Sequence, residues 1–127
     1  MIDKEMEIFD AVATELREKI PGIYVIGTEI VSAPSHFPAV SLIQTNNAIQ
    51  SQYSTFESLE NVVKEDFKAE VYSNLTTEKE AQTKEITAVI SDVMGRFNYE
   101  RTFCEIVPSA DANLGRRVSR YTNKNVI

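Results

Sequence analysis

With one cysteine, one histidine, four glycines and four prolines among 127 residues, the chain is poor in the residues that mark several common chemistries. Cys104 has no second cysteine to pair with inside the chain, and a reducing compartment is the expected setting. Zinc sites ask for three or four Cys, His or carboxylate ligands at suitable spacing, and Cys104 and His36 stand far apart in sequence. Gly22, Gly27, Gly95 and Gly115 are too dispersed for a phosphate-cradling loop, and neither a G-x-G-x-x-G nor a Walker pattern occurs. No apolar run approaches the ~20 residues of a membrane span. The acidic, amphipathic start through Asp3, Glu5 and Glu7 lacks the basic and then apolar order of a secretory signal. Export is therefore not expected, and the sequon at Asn74, Leu75 and Thr76 reads as a chance match.

What is present is a 43% hydrophobic chain of the size of one globular domain. Such a domain buries roughly two thirds of the surface its unfolded chain exposes, so neither a disulfide nor a metal is needed to hold it. The net charge of −6 is uneven: residues 1–95 carry 16 acidic and 7 basic side chains, residues 96–127 carry 3 and 6. A dipolar chain of this kind can stack head to tail or set an acidic surface against a basic partner.

Apolar residues at Met6, Phe9, Val12, Ala13, Leu16 and Ile20 form one helical face, with Asp3 as the expected N-cap and Pro21-Gly22 as the stop. β-Branched and aromatic residues at 23–26 and 37–43 predict two paired strands. Residues 44–60, rich in Gln, Asn, Ser and Thr with isolated Ile49, Tyr53 and Phe56, predict a long loop or arm suited to a neighbouring subunit. From Phe67 to Leu75 strict alternation predicts a half-buried strand whose second face carries Lys68, Glu70, Tyr72 and Asn74. Thr77 and Glu80 have capping-box spacing ahead of a helical stripe of Ile86, Val89, Ile90, Val93, Met94 and Phe97. Residues 101–107 and 116–122 complete the pattern with two further strands.

The expected fold is a single α+β domain over 1–127, in the order α-β-β-β-α-β-β. It is a mainly antiparallel sheet of four to five strands with two helices on one face and an arm at about 44–60. Nothing assembles a catalytic group in sequence. Cys104 with His36 would have to meet in space to act as nucleophile and base, and Cys104 lies mid-strand rather than at a helix N-terminus or in an electropositive cleft. The basic stretch Arg116-Arg117-Val118-Ser119-Arg120-Tyr121 invites a nucleic-acid reading. Yet the chain as a whole is acidic and strand alternation divides the arginines between two faces. Arg and Tyr are favoured in protein interfaces, which makes Arg116, Arg117, Arg120 and Tyr121, with Ile49, Tyr53 and Phe56, the candidate contact residues.

The residues Ala69-Glu70-Val71-Tyr72-Ser73-Asn74, then Ala88-Val89-Ile90-Ser91-Asp92-Val93-Met94, Tyr99-Glu100-Arg101-Thr102-Phe103, Pro108, Asp111 and Arg117-Val118-Ser119-Arg120-Tyr121 resemble the tail-terminator or tail-completion proteins of phages. The same resemblance extends to phage-tail-like particles of Gram-positive bacteria. It covers most of the chain after Phe37. It implies a non-enzymatic structural subunit without cofactor or metal, assembled in the host bacterial cytoplasm. There it would cap a tail tube as a ring, typically a hexamer, at the tail-neck junction. Its partners would be copies of itself, tube and sheath proteins and a neck or head-completion protein, with DNA passing only through the ring lumen and no membrane. Thr76-Thr77-Glu78 replaces the glycine-rich, basic turn of the family, and few residues follow Tyr121. A head-tail connector of the neck has the same size and character. A small Cys/His hydrolase and a nucleic-acid-binding domain are the readings from other classes.

Overall fold

The computed structural model describes residues 4–28, 34, 36–49, 63–108 and 114–123, with positions 47–49, 63 and 64 described by their backbone alone. Two helices, α1 (Glu5–Lys19) and α2 (Lys79–Arg96), accompany five strands: β1 (Tyr24–Ile26), β2 (Ala39–Ile49), β3 (Val63–Ser73), β4 (Tyr99–Ile106) and β5 (Gly115–Asn123). Their order matches the α-β-β-β-α-β-β pattern of the sequence, and the architecture is α+β.

The strands form one mixed sheet in the order β1-β2-β3-β5-β4. Only the β1–β2 pair is parallel. The other three pairs are antiparallel, with β3 at the centre between β2 and β5. Alternation then assigns each side chain to a face. Val40 and Leu42 of β2, Phe67, Ala69 and Val71 of β3 and Tyr121 of β5 join Ile8, Val12 and Leu16 of α1 and Ile86, Ile90, Val93 and Met94 of α2 in one core. The helices therefore share one face of the sheet. Phe67 meets Tyr99 edge to face with ring centroids 5.4 Å apart, an arrangement that adds about 1 kcal/mol beyond area burial.

The helix boundaries differ from expectation in their chemistry. Asp3 lies outside the described residues, and Lys4 stands at the N-cap of α1 without a side-chain cap. The buried stripe of α1 is Ile8, Val12, Ala13 and Leu16, while Met6 is 69% exposed. An i, i+4, i+8 line through Ile8 lies on the core, and Phe9 and Ile20 only flank it. The helix ends before Gly22, whose φ of +85° turns the chain in a conformation that glycine adopts without steric cost. At α2 the Thr77–Glu80 capping box does not form, because the N-cap is Glu78 and no side chain caps it. Ser73 Oγ instead hydrogen-bonds Gln82 one turn into the helix, and Gly115 packs against Lys79, where a Cβ would meet Lys79 Cβ at 3.0 Å. Tertiary contacts position the start of α2.

Two corrections fall on the strands. Residues 44–49, expected in a loop, are strand: β2 continues to Ile49 in register with Val63. Their polar side chains favour strand weakly, and the ladder to β3 overrides that preference. The expected arm is thus a β-hairpin at its base, and residues 50–62 lie outside the described residues. The second correction is that β3 is not half-buried, since Glu70 and Tyr72 on its other face are as buried as Val71.

Candidate functional site

On the face turned away from the helices, the central strands carry Lys68, Glu70 and Tyr72 from β3 beside Arg116, Val118 and Arg120 from β5. Glu70 is only 2% exposed, and a carboxylate so placed is sustained only by neighbours that replace water. One oxygen accepts from the Tyr72 hydroxyl at 2.8 Å and from Arg116 at 3.0 Å; the other lies 3.0 Å from Lys68 Nζ. Burial alone would raise the Glu70 pKa. The hydrogen bonds of Tyr72 and Lys68 and the charges of Arg116 and Lys68 outweigh it and hold the carboxyl below its ordinary value. Burial and the bond to Glu70 push the Tyr72 hydroxyl up to about 12. Arg116 also lies over the Tyr72 ring, 5.8 Å from its centroid.

The same face is partly covered at the β1 end. Ser41 Oγ donates to the Thr28 carbonyl at 2.7 Å, and His36 packs on Tyr24 with ring centroids 5.3 Å apart. These contacts place both flanks of the β1–β2 connection against the sheet. At the opposite end of β3 two β-bulges face each other across the sheet. Thr45 is the extra residue of β2 between Gln44 and Asn46, and Thr102 is the extra residue of β4 between Arg101 and Phe103. Bulges re-aim side chains. Here they bring Thr45 and Thr102 together with Asp66, Arg120 and Thr122 around an open depression of about 230 Å³.

The seven residues expected at interfaces separate. Arg116 is held by Glu70, and Arg117 Nε reaches Thr83 Oγ1 of α2 at 3.4 Å on the helix side. Arg120 is exposed. Tyr121 is overturned as a contact residue. It is 1% exposed under the helices, and its hydroxyl pairs with Ser91 at 2.9 Å. Burial raises its pKa. Ile49 closes β2, its side chain outside the description, and Tyr53 and Phe56 lie outside the described residues. A tyrosine ending an alternating strand reads as core or surface with equal ease until the helices are placed. Sequence reasoning missed Glu70 and Asp66; their only signal was an acid inside a strand, beside lysine and tyrosine for Glu70.

The arrangement does not assemble a Cys/His pair. His36 packs on β1 and Cys104 belongs to β4, the two opposite edges of the sheet. Four strand spacings of about 4.8 Å place these edges roughly 19 Å apart. Among the described residues no group of three His, Cys, Asp or Glu is placed to hold a metal ion, and no helix is long and apolar enough to cross a membrane. The site's chemistry is ion pairing and hydrogen bonding on a sheet surface. In comparisons with known proteins, no family model and no curated protein matches the chain.

Proposed function

We propose that this chain is a structural virion subunit that caps the end of a phage-type tail tube as a ring, stops tube growth and offers the surface that joins the head. The observation that carries the reading is the β2–β3 hairpin. Its register continues through Asn47–Glu65, Ala48–Lys64 and Ile49–Val63, the outer end of the longest strand pair among the described residues. This long strand pair, with the polar Thr45 and Asn46 exposed toward its outer end, is suited to packing against a neighbouring subunit or tube. The family resemblance through residues 69–74, 88–94 and 117–121 supplies the kind of neighbour.

The test is to add the purified full chain to polymerising tail tubes and to image them by negative stain. Rings on one tube end and arrested elongation are expected. Tubes that lengthen as they do without the protein, with bare ends, would rule the reading out.

A further inference from the structure

Among the described residues Met6 and Ile106 are the most exposed large apolar side chains, at 69% and 51%. Exposed apolar residues scattered singly ask for no explanation, but each of these borders an open depression. Met6 lines one of about 220 Å³ together with Phe9, Gly27 and the core residues Leu42 and Phe67. Ile106 lines another of about 260 Å³, with Val107, Pro108 and Leu114 beside it and Lys79 and Arg116 at its margin. Small-molecule sites occupy ~300–1,000 Å³, so these smaller depressions suit single side chains.

The two places differ in position and in charge. The first lies at the start of α1, beside the residues that follow β1; the second lies where β4 ends and α2 and β5 begin. β1 and β4 are opposite edges of the sheet, so one chain cannot seat its own Ile106 against its own Met6. Around Met6, Glu5, Glu7 and Asp10 stand against Lys4 alone. The lining beside Ile106 sets Lys79 and Arg116 against Glu80, and the cross-strand partner of Ile106 is Arg117. One chain thus carries an apolar patch with an acidic margin and an apolar patch with a basic one, and such surfaces complement each other.

Resting on the ring reading above, we infer that Ile106 of one copy seats in the depression beside Met6 of a second copy, while that Met6 enters the depression beside Ile106. The apolar pair forms the desolvated centre of the contact and the charges form its rim. Lys79 then faces the acidic start of the second copy's α1, and the opposite charges fix which end meets which. The two patches are different surfaces of each copy, so the contact is heterologous and closes into a ring when the rotation allows.

Two variants of the full chain test this contact. Met6→Ser removes one apolar group and leaves Ile106 in place; Ile106→Asp sets a like charge against the acidic patch and leaves Met6 in place. Both positions are exposed, so urea midpoints should stay at the wild-type value. Mass photometry and sedimentation should show self-association weakened by at least about tenfold in each variant. Mixed in equal amounts, the two should form a one-to-one complex that grows no further, because each supplies the patch the other has lost. A wild-type chain that stays monomeric at every concentration, variants that assemble as the wild type does, or the lack of a mixed complex would overturn the contact. Capping of tail tubes by the wild-type chain, imaged separately, reports on the ring reading alone: capping with variants that assemble normally removes the contact and keeps the ring, and variant-sensitive association without capping does the reverse.

Discussion

The two faces of β3 reach the same burial by opposite means. Toward the helices, Phe67, Ala69 and Val71 are removed from water by α1 and α2. Away from them, Glu70 and Tyr72 are nearly as inaccessible, yet they are held by Lys68, Arg116 and a chain of hydrogen bonds. The first face depends on volume and contact, and any well-shaped apolar side chain can serve it. The second depends on complementarity of charge, so the loss of one member strands the others.

The largest expected effect lies on the helix side. Ile90→Ala leaves a cavity at a position with no exposure and should cost about 2–5 kcal/mol, read from urea unfolding. Glu70→Ala is the matching break on the other face. Lys68 and Arg116 keep some contact with water, so a loss of about 2–3 kcal/mol is expected, below that of a fully sealed pair. If Glu70→Ala proves neutral, the network on this face is no part of what holds the sheet together.

The pH dependence sharpens the same contrast. Glu70 has a folded pKa below its unfolded value, so its contribution is present at neutral pH and is lost as pH falls below about 4.5 through the folded value. Tyr72 is raised from 10.0 to about 12; its neutral form belongs to the folded state, and stability declines as pH rises from 10 toward 12. Glu70→Gln should flatten the acid limb and Tyr72→Phe the alkaline limb of unfolding measured across pH, while Ile90→Ala lowers the whole curve without changing its shape. Smaller is Tyr121→Phe, which removes the bond to Ser91 and keeps the ring, for about 1 kcal/mol. Smallest is Arg96→Ala at the exposed pairs with Asp92 and Glu15, where denaturation midpoints should not move.

How much of this was legible in the sequence depends on whether the signal is local. The stripe Ile86, Ile90, Val93 and Met94 is set by helical period and is buried as the period requires. The stripe of α1 was legible as a helix but not in its rotation, because Met6 and Ile8 are both apolar and only the sheet chooses between them. The alternation of residues 67–73 marked a strand. It could not show that Glu70 would be buried, since one of the two cations that neutralise it, Arg116, comes from β5, 46 positions along the chain. Thr45 and Thr102 carry no signal as single residues, and they meet around one depression only because β2 and β4 flank the same central pair and bulge at the same level.

From sequence alone came the α+β class, the order of the elements and the absence of a phosphate loop or local zinc motif, all of which rest on residue type and spacing along the chain. Only the tertiary structure decided that residues 44–49 are strand, that Tyr121 is core, and that Asp66 and Arg120 border one depression. Each of those depends on which strand lies beside which, and register between distant strands is chosen by the packing of the whole sheet under its two helices.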